Sequence, residues 1–219
     1  MQNPWISFPC EQSDDLTLPT DRPYLDAYAS TNPKDEHRIH RYLLPEPFFG
    51  RFDAPVVLLL QNPGFSEGDI VYQNITEHTT ALRRTYAGDQ SHFYLDRPSS
   101  CNAPGTRWWK KTACAHLLRD APELKDKLLV LEFFPYHSEA FDHAHIRIPS
   151  QQFTFHLLRQ AIERNALVVC ARMWKPWICA VPELAKHASN GMVIKNKSIH
   201  PAITRTNTHR YEDLVANLR

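Results

Sequence analysis

The chain has 219 residues, 42% of them hydrophobic and 22% charged, which suits a globular domain with a real core and excludes extended disorder. Twenty-five basic residues against 24 acidic ones leave a net charge of +1, so bulk attraction to polyanions is excluded as the main basis of any nucleic-acid role. With 6 glycines against 17 prolines the connections should be stiff, and a Gly-rich nucleotide loop has almost no raw material.

Residues 1 to 52 are rich in proline and acidic groups and hold one plausible short helix, around Asp35 to Leu44. They read as an arm packed on a domain formed by residues 53 to 219. Val56 to Leu60 is an apolar run of the kind that forms a strand buried on both faces. Leu128 to Phe134 and Leu167 to Ala171 repeat it, and Met192 to Lys195 is a weaker fourth. Between the first two runs, Asn74 with Glu77 predicts a capped helix ended by Gly88, and Thr106 caps another whose Trp109, Ala113, Leu117 stripe faces the core. Asp89 to Gly105 is a long aperiodic connection, suited to a lid or binding loop. Phe153, Leu157, Ala161 and Ile162 share one face of a helix closing near Asn165, and Tyr211, Leu214, Val215 and Leu218 form the last stripe.

Strands alternating with helices predict an α/β fold, a three-layer sandwich around a mostly parallel four-stranded sheet. Ligands of such sheets bind beyond the carboxyl ends of the strands. There the sequence places Gln61-Asn62-Pro63-Gly64, Pro135-Tyr136-His137-Ser138, Arg172-Met173-Trp174-Lys175 and Asn196 to Asn207. Taken singly, Asn-Pro-Gly is a turn and His200-Pro201 an extended dipeptide.

Charge is unevenly spread: residues 1 to 100 carry 8 Lys and Arg against 14 Asp and Glu, and residues 101 to 219 carry 17 against 10. A basic face from the second half, or mutual neutralisation across the surface, would each account for this. Five cysteines without a closely spaced pair read as reduced thiols. Residues 1 to 30 lack a cationic start followed by an apolar stretch, and Val56 to Leu60 is too short to cross a bilayer, so a cytoplasmic protein without membrane contact is expected. His137, His143, His145 and His156 fit no zinc spacing, so no metal is expected.

An apolar first strand ending in Gln61-Asn62-Pro63-Gly64, with His200-Pro201-Ala202-Ile203-Thr204-Arg205 after a late strand, resembles the uracil-DNA glycosylase superfamily over roughly residues 53 to 218. The resemblance implies a monomeric, cofactor-free enzyme that hydrolyses the N-glycosidic bond of a damaged or non-standard base in DNA, single- or double-stranded. Three positions depart from the family: Gln61 replaces its usual Gly, Ala202 and Ile203 replace Ser and Pro, and Glu132 stands near the Asn that reads the uracil edge. An ionised carboxylate only accepts hydrogen bonds, whereas an amide both donates and accepts, so Glu132 argues against uracil itself.

Within that resemblance, Asn62 would orient the attacking water and His200 would donate to the departing base, a contribution of roughly 3 to 4 kcal/mol. Gln61, Pro63, Gly64, Tyr72, Glu132, Phe134 and Tyr136 would hold the base. Phe93 is a further stacking candidate, although core or loop packing is the plainer account of each aromatic. Arg172, Lys175, Lys195, Lys197 and Arg205 would grip phosphates, or form an ordinary solvated face. Trp108-Trp109 beside Lys110-Lys111 offers another nucleic-acid contact, with Trp109 also suited to the core. The alternatives are a catalytically silent module binding nucleic acid or a nucleotide through the same pocket, and a hydrolase of free nucleosides.

Overall fold

The computed structural model describes residues 1–11, 13–89 and 92–219. Five strands form one sheet: β1 (Phe48–Phe49), β2 (Val56–Leu59), β3 (Leu128–Leu131), β4 (Leu167–Cys170) and β5 (Val193–Lys195). Their order is β1-β3-β2-β4-β5, and every pairing is parallel except the edge pair β1 with β3. β2, β3 and β4 are buried along their whole length, which is why they read as continuous aliphatic runs with no alternation. β3 and β4 flank β2, so the chain order reverses there, which is where open sheets of this kind generally bind ligands.

The expected four-stranded sheet is therefore corrected to five. The additional strand comes from the arm, where Pro45 and Pro47 hold an extended path and Gly50 turns the chain back with φ +92°. Inside the arm the helix is Arg22–Ser30, while Asp35–His37 makes only a single 3-10 turn, so the helix expected at Asp35 to Leu44 is not formed. Two of the expected caps also move. The helix Thr76–Ala87 begins after Ile75, and Asn74 donates to the Ile70 carbonyl at 2.8 Å, closing the preceding helix Glu67–Tyr72. The capping box belongs to Ser66 and Asp69. Thr106 lies within the helix Pro104–Trp108, which Pro104 starts. Gly88, left-handed at φ +73°, ends its helix as expected, and the Trp109, Ala113, Leu117 stripe is buried.

The connection from Asp89 to Gly105 contains a short helix, Phe93–Asp96, and the start of Pro104–Trp108; Gln90 and Ser91 lie outside the described residues. The arm is clasped to the body by Asp21. Its carboxylate accepts from the Tyr136 hydroxyl at 2.8 Å and from the Ser150 backbone N–H at 3.0 Å, while the Leu18 N–H donates to the same hydroxyl. Trp5 and Phe8 pack with Tyr86 into the core. Among the described residues no helix is long and apolar enough to cross a membrane, and the five cysteines are free thiols.

Of the buried imidazoles, three are held well below the ordinary histidine pKa. Burial drives His92 and His78 down to about 3, Arg97 adding to the effect at His78, and drives His143 to about 4. His92 is fully buried, stacked 5.0 Å from Phe49, and among the described residues neither ring nitrogen has a partner. In the unfolded chain it titrates near ~6.5, so from there down to its folded value only the unfolded state takes the proton, and the residue costs more stability as the pH falls. Glu46 and Glu132, raised by burial, act in the opposite sense, but they are shared by any variant at position 92. His92→Phe should thus gain on the wild type by roughly 1.4 kcal/mol per pH unit below pH ~6.5. Denaturant unfolding of both proteins between pH 7 and 4.5 checks this, and a constant difference would contradict it.

Candidate functional site

Hydrogen bonding continues past the ends of β2 and β3 and zips their loops together. Leu60 N–H donates to Leu131 O at 3.0 Å, Phe134 N–H to Gln61 O at 2.8 Å and Ser138 N–H to Pro63 O at 3.4 Å. This pairing carries Asn62 against Ser138. The Asn62 amide nitrogen donates to Pro63 O and to Ser138 Oγ, each at 2.9 Å. Because Pro63 O can only accept, the nitrogen must face it, and Oδ1 is turned away; among the described residues Oδ1 has no partner. Ser138 is itself fixed: its hydroxyl proton goes to Ala140 O at 3.1 Å, so its oxygen accepts from His143 Nε2 at 3.1 Å. The neutral ring that burial enforces at His143 carries its proton on that nitrogen.

Asn62, Pro63 and Gly64 line a cleft of about 500 Å³ at this edge of the sheet. Its floor holds Glu132, the residue immediately after β3, whose N–H extends the edge pairing to Pro47 O at 3.0 Å. The side chain is 4% exposed, and neither carboxyl oxygen has a hydrogen-bond partner among the described residues. Burial holds its pKa well above the ordinary carboxylate value, nearby Glu46 pushes the same way, and Arg172 offsets them in part. Burial and Glu46 both favour the protonated acid, which carries one donor and one acceptor where an ionised carboxylate only accepts.

The arm supplies another wall. Glu46 is buried, accepts from the Tyr94 hydroxyl and is raised chiefly by burial. Phe49, Phe65, Tyr94, Trp108 and Trp109 give the cleft flat apolar surface, and Phe65 stacks on His40 at 3.7 Å. His137 presents Nδ1 to Gly64 O at 2.6 Å and Nε2 to Leu44 O at 3.0 Å; only a doubly protonated ring donates to both. That ring bridges the loop after β2 to the arm and lowers the Glu46 pKa. Arg107 and Lys111 are exposed at the rim, whereas Lys110 is engaged with the Arg97 carbonyl. Among the described residues no group of three or more His, Cys, Asp or Glu is placed to hold a metal ion.

The other expected residues are scattered around this centre. Gln61 is half-buried beside Asn62 but does not line the cleft, and Tyr72 lines a small recess next to it with Glu46 and Asp69. Phe134 and Tyr136 are fully buried, Tyr136 in the Asp21 clasp, so both belong to the core. Phe93 is buried beneath Arg97. His200 is exposed on the loop after β5, where its Nδ1 accepts from Ala202 N–H at 3.2 Å, and it is not part of the cleft wall. That loop is tied to the site's edge by Arg172, whose Nε donates to Ile199 O at 2.8 Å. Lys175 and Lys197 are exposed, Lys195 lies over Trp174, and Arg205 is spent on Asp120 and Glu212.

Glu46, Phe49, Phe65, Asp69, Arg107 and Thr112 carry no sequence signal of their own. The adjacency of Trp108-Trp109 to basic residues and the unusual length of the Asp89 to Gly105 connection were the only hints. No protein-family model, no curated protein and no solved structure matches this chain.

Proposed function

We propose that the protein hydrolyses the N-glycosidic bond of a damaged or non-standard base in nucleic acid, in the manner of the uracil-DNA glycosylase superfamily that its Asn62-Pro63-Gly64 and His200-Pro201 segments resemble. The observation that carries this reading is the locked Asn62 amide: both of its hydrogens are committed, its oxygen is left without a partner among the described residues, and the residue lines a cleft together with Glu132. Departure of a base leaves positive charge on the sugar, so an oriented water suffices as nucleophile and a strong base is not required. An amide oxygen fixed from behind can hold that water. The aromatic walls suit an extruded base, and Arg107 and Lys111 suit its flanking phosphates.

A second reading, a binding module without catalysis, is favoured by one observation: His200, the donor expected for the departing base, stands outside the cleft wall.

Oligonucleotides carrying uracil, hypoxanthine or xanthine, single- and double-stranded, separate the two readings. Base release supports the enzyme; no release from any of them, with salt-sensitive binding retained, supports the module. Under either reading, replacing Arg107 and Lys111 together by Ala should weaken binding to a single strand and lower its salt dependence. For each phosphate no longer gripped, the slope of log K against log salt should change by about 0.7. An unchanged slope would place the phosphate groove elsewhere.

A further inference from the structure

The cleft is lined by a buried polar group that has no hydrogen-bond partner among the described residues. Glu132 is 4% exposed and its carboxyl makes no hydrogen bond among the described residues, yet it faces a cleft large enough for a ligand. A buried group of this kind costs stability unless something pairs with it, which points to a ligand as the missing partner. Resting on the base-binding reading above, we propose that Glu132 acts as a protonated acid that grips a heterocycle presenting a hydrogen-bond donor beside an acceptor, as the ring N–H and exocyclic C=O of a deaminated base do, and that the site loses this grip when the proton is lost.

The geometry favours a neutral ligand edge. A carboxylic acid and a lactam form two parallel hydrogen bonds, with the acid O–H donating to the lactam carbonyl and the ring N–H donating to the acid carbonyl. No proton is transferred and neither partner becomes charged, which suits a dry floor.

Several charged or titratable groups face this carboxyl or share its cleft. Glu46 from the arm opposes loss of the proton and Arg172 after β4 favours it. Asp69 from the helix Glu67–Tyr72, His137 after β3, and Tyr94, Arg107 and Lys111 lie farther around the wall. Burial leads this balance and favours the protonated acid. The amide expected from the resemblance would read the same edge with no dependence on pH. Glu132 would therefore make recognition conditional on its own proton.

The test uses the full chain and free bases, so it does not depend on catalysis. Binding of uracil and of hypoxanthine is followed by NMR at pH 7 and at successively higher pH, with 3-methyluracil and 1-methylhypoxanthine as probes lacking the ring donor. The Glu132 carboxyl carbon is observed in the same samples. The expected results are at least roughly tenfold weaker binding of the methylated bases, and loss of binding in step with ionisation of Glu132. Glu132→Gln, which keeps one donor and one acceptor, should bind at pH 7 within about tenfold of the wild type and lack that loss. Any loss shared by both proteins belongs to ionisation of the base. Glu132→Leu, with melting measured alongside, should stay folded and not bind.

Equal binding of methylated and unmethylated bases, or the same pH profile in wild type and Glu132→Gln, would overturn the proposal. Base release without these signatures would leave the hydrolase and remove this role of Glu132. The signatures without base release would leave the role and remove the hydrolase.

Discussion

Asn62→Ala should lower base release by on the order of 100- to 1000-fold, the scale on which a preorganised polar group contributes to a charged transition state. The variant removes the water-holding oxygen, while Ser138 remains bound to Ala140 and His143 and so keeps the loop after β3 in place. Affinity for the substrate strand should change far less than the rate, because the aromatic walls and the rim cations are untouched.

Asn62→Asp sharpens the test. A general base would be improved by a carboxylate, but an ionised Asp cannot donate to Pro63 O or Ser138 Oγ, both of which need a hydrogen from this position. The Asp variant should therefore be slow as well, and Ser138→Ala, which loosens the amide from behind, should fall between it and the wild type. Single-turnover measurement of base release with each variant checks the order. Unchanged release by Asn62→Ala would remove this residue from the chemistry.

Gly50→Ala should produce the largest loss of stability, on the order of 3 to 5 kcal/mol, or a fall in Tm of roughly 10 °C for a chain of this size. The backbone at Gly50 has φ +92°, which an L side chain rarely adopts, and an added Cβ would sit 2.0 Å from the Leu128 carbonyl oxygen. That oxygen belongs to the backbone at the start of β3 and cannot rotate aside as a side chain would. Either the turn opens or β1 withdraws from β3, and with β1 go Glu46 and Phe49 from the cleft wall. Gly64→Ala is the contrasting case: its Cβ would meet nothing within 4 Å, so the fold should tolerate it. Denaturant titration of the two variants separates them, and equal midpoints would show that the turn at Gly50 can relax.

The parallel strands were legible because burial on both faces leaves an aliphatic run that no surface element reproduces, and the observed ends fall within a few residues of the expected ones. β1 was not legible: two residues have no period, and Phe48-Phe49 following prolines reads as a hydrophobic interruption of a loop. The helix Arg22–Ser30 was hidden by Pro23, which signals a break in general but is welcome in a first turn. In the cleft, Asn62 and Glu132 could be found because they follow strands directly. Phe65, Asp69 and Arg107 could not, since an exposed or half-buried side chain in a connecting segment acquires its neighbours only when the loops close. The environment of Glu132 was beyond the sequence for a related reason: its raised pKa comes from burial and from Glu46, which lies on the arm.

The Asp21 clasp joins groups 115 positions apart, and β1 likewise waits for β3. In a nascent chain the Asp21 carboxylate and the edge of β1 therefore stay without these partners until more than half of the polypeptide has been made. Synthesis in the cell would leave Phe48 and Phe49 within reach of chaperones through that interval, and the arm would close only once β3 had emerged.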